Sequence, residues 1–137
     1  MDALQINWLA VLVAGVINMI VGAIWYAPAV FGTIWAKEIG MKMDAKMDPA
    51  DMGKSYGITF IGALLMGFVT AAVVGYSNAT TFGAGVLIGL LLWLGFAVSL
   101  PLNDVVFGKK TVTLYLLNAA YYIVVLVING GMLAIWR

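Results

Sequence analysis

Four stretches of this chain carry no Asp, Glu, Lys or Arg: Ala3 to Ala27, Ser55 to Ser77, Phe82 to Leu100 and Val112 to Trp136. Each is close to the ~20 residues that a helix needs to cross the hydrocarbon of a bilayer. A backbone in lipid must satisfy every N–H and C=O internally, and runs of this length do so as helices. A chain of 137 residues that is 64% hydrophobic and 9% charged could not hide so much apolar surface as a soluble domain, which at this size buries only about two thirds of what its unfolded chain exposes. The expected fold is all-α: one transmembrane domain over residues 1–137, an integral membrane four-helix bundle in an antiparallel up-down arrangement, with a cytoplasmic interfacial segment over about 29–54.

The first stretch ends in Trp25-Tyr26-Ala27-Pro28-Ala29, whose small-x-small end has the form of a signal-peptidase site. Against cleavage, the region before it carries Asp2 and no Lys or Arg, and the run is longer than the ~7–15 apolar residues of a signal peptide. Tyr26 and Trp25 before Pro28 look like an interfacial aromatic anchor followed by a helix stop. Pro28 is therefore expected to end span one. Asp48 with Pro49 and Asp51 favours a helix start before span two, Thr80 or Thr81 can cap span three, Pro101 should end or kink it, and Thr111 can cap span four. The short link between spans two and three predicts antiparallel neighbours.

Six of the seven basic residues, Lys37, Lys42, Lys46, Lys54, Lys109 and Lys110, lie between spans one and two or between spans three and four; only Arg137 lies elsewhere. The positive-inside rule puts those segments in the cytoplasm and both termini outside, and Glu38, Asp44, Asp48 and Asp51 count for little in it. Between Phe31 and Met47 apolar and charged residues mix closely. Either a short amphipathic helix dips Phe31, Ile34 and Trp35 into the inner leaflet, or the segment is a solvated loop. The methionines are read as adaptable packing, not as a metal tract. A weak internal repeat also shows: Gly22, Pro28 and Phe31-Gly32 against Gly95, Pro101 and Phe107-Gly108, which would relate two helix hairpins.

Polar and small residues fall at helical spacings. Span one carries Asn7, Val11, Gly15, Asn18, Gly22 and Trp25 near one stripe, and span four carries Tyr115, Asn118, Tyr122, Val125, Asn129, Met132 and Trp136 on one seam. Amides at that depth need partners inside the protein or on enclosed water. They serve either as glue between helices, worth ~0.6–2 kcal/mol each, or as the lining of a pathway formed by Asn18, Tyr115, Asn118, Tyr122 and Asn129. Gly67, Ala71 and Gly75 on span two and Gly85 and Gly89 on span three have the four-residue spacing that lets backbones approach. With Gly15 and Gly22 they are the candidate packing residues, and the faces on spans two and three predict a homo-oligomer. Asn103 and Asp104 form a candidate polar site at the inner boundary, with Lys109 or Lys110 as partner of the acid.

No Cys and no His are present, so thiol chemistry and the usual zinc and haem ligands drop out. No carboxylate lies in the middle of a span, where proton-coupled transporters generally need one. A small multidrug-type antiporter of similar length would carry a central glutamate. Paired catalytic carboxylates, a phosphate loop and a Ser/His/Asp set are also missing. The expectation is a protein that is not an enzyme, needs no cofactor or metal and binds no nucleic acid.

The stretches "INWLAVLVAGVINMIVGAIWYAPAVFG", "LLLWLGFAVSLPLNDVVFG" and "LYLLNAAYYIVVLVINGGMLAIW" resemble the small integral membrane proteins grouped as domain of unknown function 1761. The resemblance rests on Ile6-Asn7-Trp8, Gly22 to Pro28, Trp93-Leu94-Gly95-Phe96, Leu102-Asn103-Asp104 and Asn118-Ala119-Ala120-Tyr121. It implies a bacterial four-span protein of the cell membrane and supplies no activity. Where many relatives have "EGRP" after the Phe at the exit of span three, this chain has "GKKT". Two function classes follow: a homo-oligomeric structural or interaction protein in contact with membrane lipids, or a channel or facilitator, without proton coupling, for a small neutral or weakly polar solute.

Overall fold

The computed structural model describes residues 5–40 and 49–136. Its helices are α1 (Trp8–Trp25), α2 (Thr33–Ile39), α3 (Pro49–Tyr76), α4 (Phe82–Leu92), α5 (Leu102–Val106) and α6 (Val112–Ile135), with π-helical turns at Pro28–Gly32 and Trp93–Val98. No strand occurs among the described residues. Four helical segments are long and apolar enough to cross a membrane: α1, α3, the composite Phe82–Val106, and α6. The architecture is that of a four-helix membrane bundle.

Side-chain caps set three of the helix starts. Asn7 accepts the Ala10 N–H at 3.2 Å, Thr81 accepts that of Ala84 at 3.1 Å and Thr111 that of Leu114 at 3.1 Å, each satisfying a first-turn donor that has no partner within the helix. The expected cap at Asp48 lies outside the described residues, as do Lys42, Asp44 and Lys46. α3 has 28 residues, roughly 42 Å of helix against ~30 Å of hydrocarbon. Residues 49–59 are exposed throughout.

α6 is the centre of the bundle: it packs on α1, α3 and α4, while α1 also packs on α3. The link over residues 77–81 keeps α3 and α4 adjacent, yet α4 packs chiefly on α6 and only slightly on α3. The core is made of small side chains, with Ala10 and Ala14 against Leu133 and Ala71, and Val74 and Ala79 against Ala134 and Ala84. Helices embedded in lipid gain little from hiding apolar surface from one another and gain by close approach instead.

Glycines permit the closest of these approaches, and they correct one expectation. A Cβ at Gly85 would run into the carbonyl of Gly130, and one at Gly89 into that of Leu126. At Gly67 a Cβ would lie 3.1 Å from the Ala14 Cβ and 3.3 Å from the Val11 carbonyl. Ala71 packs on the cluster of Ala10, Ala14 and Leu133. Gly67, Ala71, Gly85 and Gly89, expected to meet a second copy, thus pack against α1 and α6 of the same chain.

Two further expectations change. α2 lies against the bundle: Ala36 is buried, Thr111 Oγ1 donates to Glu38 Oε2 at 2.5 Å, Phe31 packs on Trp25 and Trp35 on Tyr26. Phe31 and Trp35 therefore meet protein rings, leaving Ile34 as the exposed apolar side chain of the three. The repeat does not map onto equivalent positions either. Pro28 opens a turn after α1 has ended, whereas Pro101 sits between two helical pieces of one span.

Candidate functional site

The polar residues of the bundle separate into two groups. In the middle, Asn18 is buried; its side-chain Oδ1 and its main-chain carbonyl both accept from the Tyr121 hydroxyl, the latter at 2.9 Å, while its Nδ2 donates to Met66 Sδ at 3.7 Å. The hydroxyl fits because residue 22 is glycine: a Cβ there would stand 3.1 Å from Tyr121 Oη. Asn129, also buried, donates from Nδ2 to the Ala14 carbonyl at 3.2 Å, and its Oδ1 has no partner among the described residues. These amides tie α1 to α3 and α6.

The second group lies toward the end of the bundle that carries the basic residues, where the third span breaks. Pro101 has no N–H to offer the carbonyls one turn before it, and the Leu102 N–H turns to Ser99 at 3.3 Å. Tyr115 reaches across from α6 and donates its hydroxyl to the Val98 carbonyl at 2.7 Å. Trp93 Nε1 donates to the Ala119 carbonyl at 2.7 Å and Trp25 Nε1 to that of Leu117 at 3.2 Å. Two indoles, one from each side, therefore hold the same stretch of α6.

A cavity of about 220 Å³ opens beside this break. Ala97, Pro101, Asp104 and Val105 form one wall, and Leu114, Tyr115, Asn118 and Tyr122 of α6 the other. Lys110, also lining it, stands with Asp104 through a local fold. The Asp104 carbonyl accepts the N–H groups of Gly108 at 3.0 Å and Lys110 at 3.1 Å, and Lys109 adopts φ 64° to turn the chain. Lys110 Nζ then lies 3.6 Å from Asp104 Oδ2, both side chains more than half exposed. Deeper in, Asn118 Oδ1 accepts from the Tyr26 hydroxyl at 2.5 Å.

Of the candidates on span four, Tyr115, Asn118 and Tyr122 come together at this cavity, and Asn129 lies apart, buried against α1. Asn103 is exposed and lines no part of the cavity, so Asp104 alone of that pair joins it. Gly15 packs against Leu64, and Gly75 borders a small recess with Ala71 and Leu133. Sequence reasoning missed Tyr121, the partner of Asn18, and Tyr26, the partner of Asn118. Tyr121 sits one position off the seam, on the face turned to α1; Tyr26 looked like a lipid anchor.

A model of a family described as a protein of unknown function, DUF1761, matches residues 9–134. This bears out the resemblance carried by the tryptophan, proline and asparagine motifs. No curated protein and no solved structure matches the chain.

Proposed function

The chain belongs to the DUF1761 family, and from that premise we propose that it is a bacterial inner-membrane protein that acts by contact, with lipid and with copies of itself, and neither catalyses a reaction nor conducts a solute. The observation that carries this reading is the packing in the middle of the bundle: the Tyr121 hydroxyl is spent on Asn18 and the Asn129 amide N–H on the Ala14 carbonyl, beside a core of Ala and Leu side chains. Self-association draws support from a different row of small residues. Gly53 and Gly57 on α3 have open space where a Cβ would stand, and their spacing suits close helix approach. The clustering of Lys37, Lys54, Lys109 and Lys110 at one end supports both termini outside.

The cavity lined by Asn118 and Tyr122 favours the facilitator as second reading. Reconstituted vesicles separate the two. Contact predicts that glycerol and urea enter protein-bearing and empty vesicles at the same rate, and that the mass in native-like lipid is a multiple of the chain, falling to one chain in Gly57→Leu. Faster entry that Asn118→Leu abolishes would replace this reading with the facilitator. For orientation, cysteines at positions 37 and 80, both exposed, should label from opposite sides of intact cells, position 80 from outside. External labelling at position 37 would reverse the topology.

A further inference from the structure

We infer that the cavity between the break of the third span and α6 binds a zwitterion carrying a primary ammonium and a phosphate, delivered as the headgroup of phosphatidylethanolamine. The charges at its mouth are one of each sign, Asp104 and Lys110, 3.6 Å apart. That is longer than the ~2.7–2.9 Å of a close charge-assisted hydrogen bond, so neither group is saturated by the other. A lone cation or anion brought there would meet one attractive and one repulsive charge, whereas a zwitterion aligned against the pair meets two attractions. A primary ammonium brings N–H donors for the Asp104 carboxylate, which a quaternary one lacks.

The inner lining agrees with this assignment. Asn118 uses its Oδ1 on Tyr26, and its amide N–H groups, like the Tyr122 hydroxyl, have no hydrogen-bond partner among the described residues. Both are donors for phosphate oxygens. The rings of Tyr115 and Tyr122 offer faces that attract a cation. The cavity of about 220 Å³ has room for such a headgroup. Its level in the membrane is set by neighbours of Asp104: Phe107 is 84% exposed, and Leu102 and Val106 point outward as well. These apolar side chains seat the turn against lipid, leaving the charged pair at the depth of the headgroups.

The inference rests on the reading of the chain as a lipid-contacting membrane protein, and its test is separate from the flux and mass measurements. The full chain is extracted from vesicles of phosphatidylcholine containing graded phosphatidylethanolamine or phosphatidylglycerol, and the retained lipid is counted by native mass spectrometry. Wild type should retain phosphatidylethanolamine over both others. Asp104→Asn and Lys110→Gln should each weaken retention by roughly tenfold, the scale of one charged contact, with Tyr122→Phe smaller and Leu87→Ala, on the exposed side of α4, without effect. Asp104→Glu, which keeps the charge, should retain the lipid, and unchanged melting curves show that the exposed substitutions leave the fold intact.

Equal retention of the three lipids, or a preference unaltered in both charge variants, would overturn the assignment. A preference for phosphatidylglycerol would overturn it too, since Lys110 alone would then be recruiting an anion. Release of the lipid by an equal concentration of free phosphoethanolamine would overturn the lipid as source. If the vesicles show solute flux while this preference holds, the contact reading fails and the headgroup site stands.

Discussion

Gly130→Ala is expected to separate the third span from α6, with a loss of stability at or beyond the ~1–3 kcal/mol typical of overpacking. A Cβ at position 130 would strike the carbonyl of Gly85 and come within 3.3 Å of the Gly89 nitrogen. Both obstacles are main chain inside a helix, so neither can swing aside, and one helix must move bodily. Gly85→Ala should do the same from the other side, where Ala134 Cβ would also stand at 2.7 Å. Gly131→Ala meets first the ring of Phe82, a side chain that is half exposed and can turn away, so its cost should be lower. Gly62→Ala meets nothing within 4 Å and should gain up to ~1 kcal/mol of helix propensity. Thermal unfolding in nanodiscs would rank the four, and equal behaviour of Gly130→Ala and Gly62→Ala would refute the close approach.

The second large effect is expected at Asn18 and Tyr121. Tyr121→Phe strips the shared donor from two acceptors and leaves the buried Asn18 Oδ1 unpaired, a loss of ~1–3 kcal/mol for an orphaned buried acceptor. Asn18→Leu removes the amide that needs the hydroxyl and should cost a similar amount. The double variant should cost clearly less than the two together, with a coupling of about 1 kcal/mol, inside the range found for polar contacts between membrane helices. Gly22→Ala offers an independent check: its methyl would press on the Tyr121 hydroxyl and should lose part of the same energy. Strict additivity in the double variant would dissolve the pair.

The bundle was legible in the sequence because lipid imposes a simple code. Charge-free length marks a span, and Thr80 or Thr81, Pro101 and Thr111 mark where helices begin and break, through local chemistry that needs no tertiary knowledge. The polar contacts were legible only in part. Asn18 could be assigned inward from burial cost alone, but its partner could not, because a single seam on span four assumes that the helix has one inward face. α6 has several, one each toward α1, α3 and α4, so Tyr121 and Tyr122, adjacent in sequence, serve different neighbours. The small residues misled for a related reason. Gly85 and Gly89 announce a close approach without naming the partner, and the row that answers Gly85, Gly130 with Ala134 on α6, is equally silent about which helix it meets.

The central position of α6 also bears on how the protein is made. Chains emerge from the ribosome amino-terminus first, so α6 is the last of the four spans to enter the bilayer, although every other span packs on it. Until it arrives, the Ala14 carbonyl lacks its bond from Asn129, the Asn18 amide lacks the Tyr121 hydroxyl, and the indoles of Trp25 and Trp93 lack their carbonyls. Three inserted helices wait in lipid with polar groups that only the fourth can satisfy, and the delay ends in a single closing event. Truncation before α6 should therefore yield not a smaller stable bundle but a substrate for membrane proteases.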